Sequence, residues 1–531
     1  VTSVAGTAIN TCATSGAVNI TAGAAPTNYS ALLWTSSGTG TFANNTNLTT
    51  CTYTPSAADI SAGSVTITLE ATGNGTCTST KVTSTKTLTI KATGTWLGTT
   101  SDWNTATNWC GGVPTSATNV VIPSGTPNNP LISLANAVAN TVTINSGAKL
   151  SMSGVYNLSI TAGGSFNNNA TSADFITTGS SGAVVFLGDG TITGTSTFKN
   201  ISYFGGLNFG SSSSVSDTST IQSGGYTNIN GPVYLTNSIL RYNTGGNYLR
   251  RVEWSTTSGK SYPYHVLLTG GSQIYASHAS ALSAATPLNI AGDLTIDNGS
   301  QLFMDDFNGA NNTTVSLIVG GSINLKGNLS ASKTLNSDIK LGKDWNFTAG
   351  GNFYPNSRAV WFTGTVLQNI SRSAAGTLNF DYVINQNTSG GVKLASGTGI
   401  NFNGTGDALQ LLGTGTGNIF DLNANTATLV NAGNVKISGT QYISNTNATG
   451  ANFNITNTGG NVNSGTLLEF GTNVTVGLNN GFNFGNGLST VKGTLSVNSG
   501  GFVDTYPPTY FSNSVLLYNS TGTYSRNLEW S

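Results

Sequence analysis

The sequence predicts an all-β protein, with an N-terminal immunoglobulin-like β-sandwich followed by tandem parallel β-helix or β-solenoid units. Three observations carry that expectation. Strong helix formers are scarce, and no window holds an apolar face at helical spacing over several turns. Thr, Ser, Asn and 68 Gly supply much of the chain, residue types that suit strands and the tight turns between them. Short apolar runs recur between Gly and Asn clusters from one end to the other.

Charged residues are only 7% of the chain, far below the roughly 25% usual in soluble proteins. Aromatics at 9% and abundant β-branched residues still argue for a packed fold, because disorder goes with high charge and few aromatics. Lys plus Arg and Asp plus Glu balance at 19 each, so no basic field gathers nucleic acid or anionic lipid. No apolar run reaches the roughly 18 residues that a membrane helix needs. The opening VTSVAGTAINTC has neither the basic nor the apolar stretch of a leader, and the expectation is a mature or internal segment. No cofactor is expected.

Residues 1–92 read as the sandwich. Ala17–Ile20, Ala31–Trp34 and Ser64–Leu69 alternate in polarity and are separated by turn clusters. Cys12, Trp34 and Cys77 fall in the order Cys…Trp…Cys, which in immunoglobulin-like domains sets a Trp against an inter-sheet disulfide. Cys12–Cys77 is therefore the preferred bridge, in an oxidising compartment, and the partners of Cys51 and Cys110 stay open. No C-x-x-C pair exists and only His265 and His278 could help, so a zinc site is not expected. The stretch Thr52–Ile60 reads as a connection before a late strand.

Residues 93–123 form a Trp-rich connector with Trp96, Trp103 and Trp109. The run from Trp34 through Gly38-Thr39-Gly40 to Phe42, then Tyr53-Thr54-Pro55-Ser56-Ala57-Ala58-Asp59-Ile60 and Cys77, resembles the immunoglobulin-like repeats of very large secreted surface proteins of the Bacteroidota. Gly94-Thr95-Trp96, Asp102-Trp103-Asn104, Asn108-Trp109 and Gly112-Val113-Pro114 are similar to the module that opens a β-solenoid there. The resemblance implies export by the type IX system and a place at the cell surface in adhesion, gliding or biofilm matrix. Its implied partners are neighbouring repeats of the same long chain, the secretion and anchoring machinery, and extracellular polysaccharide or other surfaces.

Residues 124–255 and 256–531 read as two solenoid units. Val142-Thr143-Ile144, Leu158-Ser159-Ile160, Leu294-Thr295-Ile296 and Ile323-Asn324-Leu325 each place two apolar residues on one face of a short strand, with Gly or Asn corners between. Asn at equivalent corners can stack in hydrogen-bonded ladders. Asp338–Phe347 and Phe353–Gly364 also resemble the solenoid repeats of that group.

One stretch occurs twice. Ser223–Ser255 and Ser499–Ser531 align without a gap, about half their positions identical, and Asn208-Phe209-Gly210 is echoed by Asn483-Phe484-Gly485. The shared residues include Tyr242/Tyr518, Tyr248/Tyr524, Arg250/Arg526, Glu253/Glu529 and Trp254/Trp530. A period of this length suits a tandem array of large units, and the expectation is a fragment of a longer array. Two readings of the motif compete. In one it joins solenoid units, Arg and Glu forming an ion pair over the aromatic rings. In the other the rings are a sugar-binding platform, with the charged pair on the hydroxyls.

No constellation of catalytic residues emerges. Asp305 and Asp306 are adjacent, so on a strand they face opposite ways, and only as a loop could they hold calcium with Asn308. Asp293 and Asp297 stand too far apart for either glycosidase geometry and read as edge charges. His265 and His278 read as surface or packing residues. The expectation is a non-enzymatic stalk or adhesin segment, with a polysaccharide-binding array and a β-helix lyase or hydrolase as its rivals.

Overall fold

The computed structural model of the 531-residue chain describes every residue except 178, 180, 278–281, 349, 457, 458 and 531, so His278 lies outside the described residues. Strand accounts for 46% and helix for 4%, which makes the chain all-β, and its repeated part is a parallel β-solenoid. The chain divides into two compact units, Val1–Lys199 with Gly210–Ser213, and Asn200–Phe209 with Ser214–Ser531.

The first unit opens with two sheets over one core. One sheet runs in the order Ile9–Cys12, Lys81–Lys91, Ser64–Gly73, Tyr29–Ser36, its first pair parallel and the others antiparallel. The other sets Thr52–Thr54 between Val18–Asn19 and Thr41–Ala43. Alternation decides what each strand buries: Val65, Ile67, Leu69 and Ala71 face inward while Thr66 and Thr68 do not. They pack with Ile20, Trp34, Tyr53, Leu88 and Ile90. The Trp34 indole donates to Asn47 O at 3.1 Å, so its one polar atom is satisfied inside.

The Cys12–Cys77 bridge does not form. Cys12 pairs along the sheet with Lys91, whereas Cys77 sits exposed in the turn Gly75–Cys77 that precedes Lys81, at the other end of the same strand. Ten residues of extended chain are roughly 33 Å, and a bridge tolerates a Cα separation of no more than about 7 Å. Cys12 is bonded instead to Cys110, with Cα atoms 5.4 Å apart and 98 residues between them in sequence. Cys110 reaches that end because its N–H donates to Thr95 O and its carbonyl accepts from Gly94 N, just beyond Lys91. Cys51 is a free thiol in the core under these two sheets, where burial pushes its pKa up to about 11.

The expected connection at Thr52–Ile60 begins as strand Thr52–Thr54 and runs into the short helix Ala57–Ala62, started by a reciprocal cap between Ser56 and Asp59 and stopped by Gly63 at φ 73°. Burial on its own would raise the Asp59 pKa, but hydrogen bonds from Tyr53 Oη at 2.7 Å, Ser56 N at 2.9 Å and Thr39 N at 3.0 Å outweigh it and hold the carboxyl at about 2. A depressed carboxyl stabilises the fold above its unfolded pKa, and that stability drains away as pH falls toward the folded value. Between about pH 5 and pH 2 this part of the fold should lose about 2 kcal/mol from this group, and Asp59→Asn should remove that part of the acid transition in denaturant melts.

The connector is a cluster of buried indoles. Trp109 meets Trp96 and Trp103 edge-on at 4.8 and 4.7 Å, and its Nε1 donates to Trp103 O at 2.6 Å. Asn108, fully buried between them, accepts from Thr100 N and donates to Asp102 O. Beyond it Asn119–Ile122, Ala137–Ile144 and Leu158–Asn168 stack in parallel register, Val120 on Val142 on Phe166. Leu131–Ile132, Leu150–Met152 and Phe175–Ile176 form a second face.

In the second unit each coil repeats this scheme. His265–Leu268, Leu294–Ile296, Ile323–Leu325 and Trp345–Phe347 pair in parallel, with the flanking residues of each triplet buried. Three further parallel sheets have five, ten and seven strands. Coil length varies while register holds, with 29 residues from Thr295 to Asn324 and 22 from Asn324 to Asn346. Asparagine has two roles here. At strand centres it forms outward ladders, Asn346 Nδ2 donating to Asn324 Oδ1 at 2.9 Å and Asn401 Nδ2 to Asn379 Oδ1 at 2.9 Å. At corners, Asn336, Asn423 and Asn513 take positive φ. Outside the strands, Asn136 and Asn157 also link successive coils, Asn136 Oδ1 accepting from Asn157 N and Asn157 Oδ1 from Ala183 N.

Asp293 and Asp297 are ties between coils, not edge charges. Asp293 Oδ1 accepts from Ser322 N at 2.7 Å, and Lys326 reaches Asp297 at 3.0 Å. His265 accepts from Asp293 N through Nδ1 at 2.9 Å.

Candidate functional site

The duplicated motif is the one feature that the sequence marks out, and its first copy is built around a buried carboxylate. Tyr242 stands on strand Ile239–Asn243 and Tyr248 on Asn247–Leu249, their ring centroids 5.3 Å apart. Both hydroxyls donate to Glu253 Oε1, at 3.0 and 3.1 Å, and Arg251 N donates to the same oxygen at 3.0 Å. Burial raises the Glu253 pKa above its ordinary value even so.

Arg250 is not the ion-pair partner that the spacing suggested. Its guanidinium lies 5.6 Å from the Trp254 ring centre and donates to backbone carbonyls: Nε to Ala276 O at 2.5 Å, Nη1 to Pro287 O at 2.8 Å and to Trp254 O, and Nη2 to Thr286 O at 3.3 Å. Loss of water pushes its pKa down to about 10, so it keeps its charge at neutral pH. The Trp254 indole donates to Asn289 O at 2.8 Å. Arg250 is 1% exposed and Trp254 and Glu253 are wholly buried, so in this copy no ring face is offered to a sugar. Their partners Ala276, Thr286, Pro287 and Asn289 lie outside the repeated stretch, and nothing in the motif named them.

The second copy repeats this geometry in part, since the Tyr524 hydroxyl, unlike that of Tyr248, is buried without a hydrogen-bond partner. Tyr518 Oη donates to Glu529 Oε1 at 3.0 Å and Asn527 N to the same atom at 2.9 Å. The Tyr518 and Tyr524 rings are 5.3 Å apart, and Arg526 lies 5.6 Å from the Trp530 ring centre. Glu529 is buried, but Trp530 is 65% exposed and Tyr518 39%. Tyr518, Tyr524, Arg526 and Trp530 line a cleft of about 250 Å³.

The acidic pair lies elsewhere, just past strand Gln301–Phe303. Asp305 Oδ1 accepts from Thr313 N at 3.1 Å and Ser332 Oγ at 2.6 Å, and Oδ2 from Lys333 N at 2.7 Å, which pins its loop to the next coil. Asp306 is buried and Asn308 exposed. Among the described residues no group of three or more His, Cys, Asp or Glu is placed to hold a metal ion. The same two aspartates border a cleft of about 410 Å³ on the five-stranded sheet, floored by aromatics. Tyr275 and Phe303 stack at 4.7 Å with planes 4° apart, Phe307 meets Tyr275 edge-on, and Tyr354 stands two coils along the same row. Gln301, Lys333 and Asn356 add polar groups. Sequence reasoning missed this row because its members are separated by whole coils of unequal length.

No curated protein and no solved structure matches the chain. The model of one family does match, over residues 95–380, more than half of the sequence, from the connector indoles through the first copy of the motif to Phe380. The chain therefore belongs to the family described as Domain of unknown function (DUF8693).

Proposed function

We propose that the chain is a non-enzymatic scaffold segment of a long secreted cell-surface protein, of the stalk or adhesin kind exported by the type IX system in Bacteroidota. One observation carries this reading. The feature that the sequence duplicates turns its functional groups inward in the first copy, binding Glu253, Arg250 and Trp254 to the chain's own hydroxyls and carbonyls. The motif is thus a joint, and the repetition is of architecture. The Cys12–Cys110 bond suits an oxidising compartment. Two sheets over Trp34 favour an immunoglobulin-like ancestry for residues 1–92.

A second reading is polysaccharide binding, favoured by the row of Tyr275, Phe303 and Tyr354 beside amides and Lys333. Aromatic faces stack on sugar rings while amides meet hydroxyls. The purified chain, incubated with a panel of polysaccharides, is expected to release no new reducing ends. Release would overturn the scaffold reading, and retention that disappears in Tyr354→Ala would favour the second.

A further inference from the structure

The two copies of the motif agree to within a tenth of an ångström in their first tyrosine–glutamate bond (Tyr242–Glu253, Tyr518–Glu529) and in their tyrosine–tyrosine and arginine–tryptophan distances. They differ in what lies over them. In the first copy the guanidinium and the indole donate to carbonyls of Ala276, Thr286, Pro287 and Asn289. In the second, Arg526 and Trp530 have the same poise and face solvent. A buried carboxylate that holds Tyr518 beside an exposed Arg–Trp pair is costly to build for no contact, because Glu529 loses its water without the cover that Glu253 has.

We infer that the surface of Tyr518, Tyr524, Arg526 and Trp530 is an acceptor for a polypeptide stretch repeating residues 256–290, which presents backbone carbonyls to the guanidinium fork and the indole N–H. The inference rests on reading the motif as a joint, and it adds the partner. The first copy sets the chemistry of the occupant. It is a segment whose one Lys or Arg is the counterpart of Lys260, and it turns several carbonyls one way, as Ala276, Thr286 and Pro287 do toward Arg250. Guanidinium suits this role because its donors are fixed in a plane and reach several acceptors at once. The occupant's aliphatic side chains close over the indole and the tyrosine rings, so the joint becomes dry and its hydrogen bonds strengthen.

Trp530 makes the inference measurable. Of the tryptophans it alone is more than half exposed among the described residues, so acrylamide quenching of the chain reports mainly on it. The chain is extended after Ser531 by a second copy of residues 256–330. The quenching constant is expected to fall severalfold and the emission to move to the blue, with Trp530→Phe abolishing both changes. Arg526→Ala in the extended chain should return the quenching toward that of the parent. An extended chain as quenchable as the parent would overturn the inference, since the acceptor is what would order the added stretch. Protection that survives Arg526→Ala would overturn it too. The joint reading stands separately, on the stability of Arg250→Met in the unextended chain.

Discussion

A chain carrying Cys12→Ala and Cys110→Ala will unfold its first unit about 4–5 kcal/mol more easily than the parent. The bond closes a loop of 98 residues, and removing it returns to the unfolded chain the freedom that this closure withholds. The native contacts change little, because Cys12 remains paired with Lys91 and Cys110 with Thr95 through backbone hydrogen bonds. Four buried indoles, Trp34, Trp96, Trp103 and Trp109, report the transition of this unit in guanidinium melts. Cys77→Ala, at an exposed turn, should stay within about 0.5 kcal/mol of the parent. An equal loss in both variants would mean that the bond constrains nothing and that Cys77 has a role no contact explains.

Arg250→Met is expected to cost about 3–5 kcal/mol, whereas Arg526→Met, the same change at the equivalent position, should be close to neutral. Methionine fills the volume but leaves the carbonyls of Ala276, Thr286 and Pro287 without their charged donor. Buried acceptors stripped of partners carry their full desolvation cost. Arg526 is exposed, so water replaces whatever it loses. Urea melts give the sums, and amide exchange in residues 282–290 should rise in the Arg250 variant alone. Equal behaviour of the two variants would dismiss the joint.

Most of the architecture was legible because it follows from local pattern. Leu294-Thr295-Ile296 and Ile323-Asn324-Leu325 announce a two-residue period in pieces too short for a sandwich strand, and they stack in register as that pattern requires. What failed depended on distance along a strand or across coils. The order Cys12, Trp34, Cys77 satisfied a spacing rule, but Lys81–Lys91 is one continuous strand that carries the two sulfurs to opposite ends. Arg250 and Glu253 stand three apart, close enough to suggest an ion pair, yet tyrosine hydroxyls and carbonyls up to 37 residues away claim them first. The fate of Trp254 was hidden for the same reason, since its cover comes from Asn289, 35 residues on. The tie that Asp305 makes was hidden likewise, because its hydrogen-bond donors, Ser332 and Lys333, belong to the next coil.

The bond between Cys12 and Cys110 also determines how tension would travel through the first unit. A pull entering at Val1 reaches Cys12 after one short strand and crosses through sulfur to Cys110, so the residues between them bear none of it. Trp34 in the N-terminal core, the helix at Ala57–Ala62 and the three connector indoles lie inside that bypass. At about 3.4 Å per residue the shielded contour is roughly 33 nm, slack that stays locked under force and is released only by a reductant. Stretched under oxidising conditions, this part of the chain would give no unfolding step of that length.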